Sequence, residues 1–277
     1  MQILLSVIVP ASNEAGYIGA CVSAVLASNP VPGGAEVIVV ANGCRDATAA
    51  RARDLVARAQ AAGWGFTVIE RAEGSKTGAL NAGDTAARGD LRAYLDADVV
   101  VDATLMAQLV AALEGAGARY ASGRAVIPPA RSVVTRAYAR FWQTLPFAQS
   151  AAPGYGLFAV NAAGRARWGA FPDLISDDTF VRLQFTPQER ISCPAPYYWP
   201  MIEGFGALVR VRRRQNNGVA EIAAHYPDVM AREAKARMGF RGLLRRALAD
   251  PVGFAVYGAV SVVVALRRGG ADWTRGR

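Results

Sequence analysis

The stretch LRAYLDADVVVD, residues 91–102, opens as an apolar run and then sets Asp96 and Asp98 two positions apart. Side chains at i and i+2 of a strand share a face, so an extended reading holds two like charges together where the strand gives out. Such carboxylates repel and raise one another's pKa unless positive charge lies between them, and a hard divalent cation is the usual partner. The pair poses the question of whether the chain builds the rest of a metal and phosphate site.

Upstream the pattern is strand, turn and helix, repeated. ILLSVIV (3–9) leads through PASNEAG to a helix near 15–28, and AEVIVVA (35–41) leads through NGCRD to a helix near 47–62. GFTVIE (65–70) leads through RAEGSK to TGALNAGDTAA, and LRAYLDA closes the series. Short apolar strands alternating with helices predict right-handed βαβ units and a mainly parallel sheet flanked by helices, an α/β fold. Ligands of such sheets bind beyond the carboxyl ends of the strands, where Asp96 and Asp98 lie. Downstream, a helix near 103–115, a strand over 119–127 and a helix over about 132–146 are expected. Asp102 stands where it would cap the first of these helices. The chain then runs through APGYGLFAV to a second acidic stretch, FPDLISDDTFVRLQF.

Composition sets the class. With 277 residues, 52% hydrophobic and 19% charged, the chain can bury a sizeable core and is too apolar for disorder. Of its 31 Lys and Arg, 14 lie in residues 201–277 against 6 acidic residues, so nearly all of the net charge of +9 sits in the tail. A basic tail points to phosphate, in nucleic acid or on a membrane surface. Cys21, Cys44 and Cys193 are odd in number and lack C-x-x-C spacing, which favours reduced thiols and a cytosolic setting. The N-terminal run lacks a basic segment and stops at Pro10, so it reads as a first strand and not a signal peptide.

In order along the chain, SVIVPASNEAGYI, EVIVVANGCRDAT, GSKTGALNAGDTAARGD, YLDADV, PGYGLFAVNAAG and FPDLISDDTF resemble the family 2 glycosyltransferases, inverting enzymes of the GT-A fold that use nucleotide-diphosphate sugars. The resemblance covers roughly residues 5–215. It implies that Asp98 ligates Mn2+ or Mg2+ on the donor diphosphate, with Asp96 beside the ribose and the metal. It implies further that Pro10, Asn13 and Glu14 reach the nucleoside and that Lys76 and Asn81 lie beside the nucleotide. Lys76 opens a helix, where the dipole disfavours a cation, and that local cost suggests work such as approaching a diphosphate. Ser12 or Asn13 can equally cap the following helix. The second loop departs from the family, with Ala41-Asn42-Gly43-Cys44 where paired acids are common, so Asn42 takes the place of a carboxylate used against the base. A UDP-sugar is the expected donor. Asp46 either caps the next helix or binds.

An acceptor hydroxyl is a poor nucleophile at neutral pH, and a carboxylate within reach should take its proton. By resemblance SDDT supplies it, with Asp178 as general base and Asp177 as its neighbour, burial and like charge raising the base's pKa. Ser176 or Asp177 can also simply cap a helix running to about 186. Gly154, Tyr155 and Gly156 resemble the glycine segment bordering the acceptor, and Tyr155 and Trp168 either stack on a sugar ring or join the core. The leaving diphosphate needs positive charge. The Gln-x-x-Arg-Trp motif of some processive members is absent, and Arg213 or Arg214 in VRVRRRQNNG is the candidate, a solvated basic face being the alternative.

Residues 1–218 are thus read as the catalytic domain and 219–277 as a helical tail. From 229 to 248, Met230, Met238, Leu244 and Leu248 sit among basic groups as in an interfacial helix. PVGFAVYGAVSVVVAL (251–266) would span about 24 Å as a helix, short of a hydrocarbon core of about 30 Å. It reads as a monotopic or re-entrant anchor, with a full span and a packed helix as alternatives, and Trp273 suits a headgroup region. The expected partners are the donor, a glycan or lipid-linked acceptor and a membrane surface at its cytoplasmic face. A retaining transferase or a nucleotidyltransferase is the alternative enzyme, although VPASNEAG lacks the Gly-rich, Arg-containing loop of the latter. A nucleic-acid partner is not expected, because the charge sits beside an apolar run and is not interleaved with aromatics along the domain. No G-x-G-x-x-G follows the first strand, which disfavours a dehydrogenase. His225, the single histidine, excludes a His-based metal site or triad unless it acts alone, and it reads as incidental.

Overall fold

The computed structural model describes residues 4–230, 232–233 and 239–266. In chain order the elements are β1 (Leu5–Ala11), α1 (Ile18–Leu26), β2 (Ala35–Asn42), α2 (Thr48–Arg53), α3 (Val56–Ala61), β3 (Gly65–Arg71), α4 (Lys76–Ala86), β4 (Leu91–Leu95), β5 (Val100–Val101) and α5 (Leu105–Leu113). There follow β6 (Tyr120–Val126), α6 (Val133–Trp142), β7 (Leu157–Val160), α7 (Ala162–Arg165), α8 (Asp177–Arg182), β8 (Arg190–Tyr198), α9 (Phe205–His225), α10 (Pro227–Met230), α11 (Phe240–Ala249) and α12 (Pro251–Leu266).

Eight strands form one sheet in the order β3-β2-β1-β4-β7-β6-β8-β5. The half built from β1 to β4 is parallel, as the alternation predicts. The other half is mixed: β7 runs antiparallel to both β4 and β6, β8 parallel to β6, and β5 antiparallel to β8. Every residue of β1 and β2 is buried, because helices cover both faces, and this is why those strands read as unbroken apolar runs. The helix expected over 47–62 is two helices. Leu55 N–H bonds to the Ala52 carbonyl, three residues back, and that tighter turn separates α2 from α3.

The tail helix α12 has the bounds read from the sequence. Its Val260 and Val264 are buried in a cluster with Tyr138, Trp142, Leu208 and Val209 of α6 and α9. Each such valine contributes about 1.5–2 kcal/mol by leaving water. Arg140 of α6 forms a bidentate pair with Asp250 at 2.8 and 2.7 Å, and Asp250 also accepts the Gly253 N–H at 2.9 Å, capping α12. Val252, Val262 and Leu266 remain exposed. Among the described residues no helix is long and apolar enough to cross a membrane. The interfacial helix expected over 229–248 is described as α10 and α11, with Leu244 and Leu248 exposed, while Met238 and Trp273 lie outside the described residues. Helix α9 runs unbroken through residue 218.

Candidate active site

The carboxyl ends of β1, β2 and β4 open onto a cavity of about 370 Å3. Two of its loops are tied together. Asn13, at φ 58°, accepts the Arg45 N–H at 2.8 Å, Glu14 N–H donates to Thr48 Oγ1 at 2.8 Å, and Ala15 N–H donates to Asp46 Oδ2 at 3.1 Å. The αL backbone at Asn13 suits an Asn better than most residues. Asp46 also accepts the Thr48 N–H at the start of α2, so it serves the helix and the loop at once. Buried Asn42 donates to the Ala11 carbonyl at 2.9 Å across the ends of β1 and β2. Pro10, Asn13, Glu14 and Asn42 line the cavity, as does Ser12, whose buried hydroxyl has no hydrogen-bond partner among the described residues.

The acidic pair is not the strand end that its spacing suggests. Strand β4 stops at Leu95, and Asp96 to Val99 make a turn closed by Val99 N–H on the Asp96 carbonyl at 3.1 Å. Asp96 N–H donates to the Gly156 carbonyl at 2.9 Å, continuing the β4–β7 ladder by one step. Both Asp96 and Asp98 are half-buried in the cavity wall. The charge that relieves their repulsion in the chain itself is Lys76, whose Nζ lies 3.0 Å from Asp96 Oδ1 and 3.2 Å from Asp177 Oδ2. Burial would lower the Lys76 pKa, but Asp177, Asp96 and Asp178 together hold it above the ordinary lysine value.

Asp177 and Asp178 open α8, and both line the cavity. Asp177 is buried, and burial pushes it up to about 6, with Lys76 opposing and the charges of Asp178 and Asp96 adding. Asp178 is half-buried and its Oδ1 accepts the Thr179 N–H at 2.6 Å. Helix α8 ends at Arg182, earlier than expected, and Ser176 makes no side-chain cap. Its position is fixed from outside: Glu221 of α9 accepts the Ile175 N–H at 2.9 Å, and Gly218 lies so close that a Cβ there would sit 2.2 Å from Ser176 Oγ. One turn beyond Asp178, Arg182 is buried in an ion pair with Glu233 at 2.5 Å.

The glycine segment needs its glycines for packing. Gly154 and Gly156 have φ of 78° and 77°, and a Cβ would meet Tyr120 Oη at 1.7 Å and Trp199 Cδ1 at 2.5 Å respectively. Gly156 lines the main cavity; Gly154 borders a small recess that joins Asp96, Asp177 and Asp178. Tyr155 faces the cavity with its ring 4.9 Å from Trp199 and 5.3 Å from Trp142. Trp168 is a core residue, packed on Phe171 and Phe185 under the Arg165 guanidinium. Asn81 does not line the cavity: its amide accepts the Phe171 N–H at 2.7 Å and donates to the Phe171 carbonyl at 3.1 Å, holding the segment that leads to α8. Arg214 lines the cavity together with Arg212 and Gln215, and Arg213 does not. Arg212 also donates to Tyr257 Oη of α12 at 3.2 Å. Sequence reasoning missed the apolar side of the cavity, where Met201, Ile202, Leu208 and Val211 join the aromatics. Their only sequence signal was a set of apolar residues over 199–211, interrupted by Glu203 and Arg210, which any core would also produce.

Among the described residues no group of three or more His, Cys, Asp or Glu makes a ready-built metal site. Asp96 and Asp98 nevertheless suit a hard divalent ion that takes its remaining oxygens from a diphosphate and water, as such ions commonly do. The buried Cys21 thiol feels that donor set: burial first, then the charges of Asp98, Asp96 and Glu14, hold its pKa well above the ordinary range.

Residues 6–165 match the family model described as glycosyl transferase family 2. The chain belongs to that family. It is a glycosyltransferase with the GT-A-like α/β fold. Among solved structures, a mannosyltransferase from Pyrobaculum calidifontis in complex with GDP-Man and Mn2+ is 21% identical, with a TM-score of 0.60 over 98% of this chain and 77% of that one. TarS of S. aureus in complex with UDP is 13% identical, with a TM-score of 0.53 over 99% of this chain and 95% of that one. Glucosyl-3-phosphoglycerate synthase from Mycobacterium tuberculosis, in complex with Mn2+, UDP and glucosyl-3-phosphoglycerate, is 18% identical, with a TM-score of 0.52 over 80% and 79%. At these identities the likeness is one of fold. No curated protein sequence matches the chain.

Proposed function

We propose that this family 2 glycosyltransferase inverts the anomeric centre of a nucleotide-diphosphate sugar, a UDP-sugar by preference, as it transfers the sugar to a membrane-associated acceptor. The reading is carried by one observation: Asp98, Asp96, Lys76, Asp177 and Asp178, drawn from three separate stretches of sequence, meet in one cavity at the carboxyl ends of the parallel strands. Asp178 takes the acceptor hydroxyl proton as the oxygen forms its bond to the anomeric carbon. The bond from that carbon to the diphosphate breaks, and its electron pair leaves with the diphosphate. Asp177, held by Lys76, supports the helix that carries the base. Arg214, with Arg213 behind it on α9, and Lys76 supply positive charge on the leaving-group side. Mn2+ or Mg2+, held by Asp98 with Asp96 alongside, would supply Lewis-acid neutralisation of the diphosphate. Pro10, Ser12, Asn13, Glu14 and Asn42 form the nucleoside side, and Gly154, Tyr155 and Gly156 border the acceptor.

Residues 1–218 act as the catalytic unit, and 219–277 bring it to the cytoplasmic face of a membrane as a peripheral attachment. Exposed Phe240, Leu244 and Leu248 interleaved with Arg241, Arg245 and Arg246 support that attachment. A panel of nucleotide sugars, with and without Mn2+, tests the transfer. Asp178→Asn is expected to lower kcat by roughly 100- to 10,000-fold, and Asp98→Ala to abolish the response to metal. Full transfer by a folded Asp178→Asn enzyme would sink the assignment of the base.

A further inference from the structure

The cavity is chemically two-sided. Beside Asp178 it carries carboxylates and a lysine, whereas Trp142, Trp199, Met201, Ile202, Leu208 and Val211 give it a largely hydrocarbon lining, edged by Arg212, Arg214 and Gln215 of α9. Both sides belong to one continuous space, so whatever offers a hydroxyl to Asp178 also meets that hydrocarbon. Donor binding does not account for the four aliphatic side chains, because apart from its base a nucleoside diphosphate sugar is polar, and the base is assigned to the side of Asn13 and Asn42. A glycan acceptor does not account for them either. The aromatic faces could carry a sugar ring, but hydroxyls set against Met201, Ile202, Leu208 and Val211 would lose water to aliphatic side chains that return no comparable hydrogen bond. An apolar body would lose nothing and gain from burial. The apolar side is also built rigidly. Trp142, Tyr155 and Trp199 form an aromatic triad with centroids 4.9 to 6.1 Å apart, and buried Leu208 is backed by Val260 and Val264 of α12.

We infer that the acceptor is an amphiphile whose reacting hydroxyl is joined closely to an apolar body, and that Met201, Ile202, Leu208 and Val211 select it by receiving that body inside the cavity. The inference rests on the transferase reading, and it names the acceptor class that reading leaves open: the apolar part enters the site beside the reacting group and does not merely tether a distant glycan to a membrane.

The test uses the full chain and a series of alkyl β-glucosides, methyl, butyl and octyl, each below its micelle concentration, with binding measured by calorimetry. Affinity is expected to rise along the series, about fourfold for each methylene that the cavity buries. Met201→Gln and Ile202→Gln, both half-buried positions, should each weaken octyl glucoside by at least fivefold while leaving UDP affinity within twofold. Transfer assays should show the same preference in KM. Equal affinity for methyl and octyl glucoside would overturn the inference, and so would octyl binding that neither variant changes, which would place the alkyl chain on the exposed apolar residues of α11. Octyl preference that both variants weaken, in a protein that binds no nucleotide, would leave the apolar subsite standing and remove the transferase reading instead.

Discussion

Lys76 Nζ sits 3.2 Å from Asp177 Oδ2, so the most buried acid of the cavity is held by a cation from a different βα unit. Breaking a fully buried pair costs about 3–5 kcal/mol. Lys76 keeps over a third of its side chain in solvent, so Lys76→Met should cost less, about 2 kcal/mol. Urea unfolding at pH 7 reads the loss, and donor affinity should fall with it.

The same acid sets a pH dependence. Its folded pKa is raised to about 6, above the unfolded value near 4, so between those values the folded state holds a proton that the unfolded state has lost. Stability from this group is therefore greatest at the acid end and falls as pH rises through that window. Asp177→Asn removes the titration, and its stability relative to the native protein should improve steadily from pH 4 to pH 6. A difference that stays flat across the window would contradict the raised pKa.

Gly156 holds the acidic turn through its carbonyl and has no room for a side chain. Gly156→Ala must accept a positive φ and push Trp199 aside. A loss of about 1–3 kcal/mol is expected in thermal unfolding, with donor affinity reduced as well, because Asp96 moves when its N–H partner moves.

Glu221 does not line the cavity, yet it accepts the backbone N–H of Ile175, two residues before Asp177. It acts as a positioning residue for α8. Glu221→Ala should lower kcat about tenfold with little change in the dissociation constant of UDP, and Glu221→Gln, which keeps an acceptor oxygen, should restore most of it. Equal losses in the two variants would show that the carboxylate charge, and not the hydrogen bond, is what matters.

Asp250 joins two jobs, the ion pair with Arg140 and the start of α12. Asp250→Ala should thus destabilise more than Arg140→Ala, the difference being a helix cap of about 1 kcal/mol. Paired thermal melts make the comparison.

The parallel half of the fold was readable because β1 and β2 are covered on both faces, which forces the apolar runs that alternation analysis detects. Asp96 and Asp98 were singled out by their spacing and Asp178 by resemblance, and the fold brings all three to the cavity. The deep burial of Asp177 was not readable: it depends on which of two adjacent acids faces inward at the first turn of α8, and sequence order does not fix that rotation. The apolar side of the cavity was hidden because Trp142, Trp199 and Leu208 come together only in the folded chain and look like core residues until a cavity opens beside them. Asn81 was expected beside the nucleotide, and Trp168 was open between a sugar ring and the core. Each is a polar-tipped or aromatic residue near a motif, and each is consumed by packing of the segment before α8.

The peptide contact between Asp96 and Gly156 makes the acidic turn and the glycine loop one mechanical part. Insertions or deletions that lengthen either loop will be transmitted to the other, so lineages that switch acceptor are expected to retune the donor side in the same step. Engineering that swaps the acceptor loop alone will carry a hidden penalty in nucleotide use.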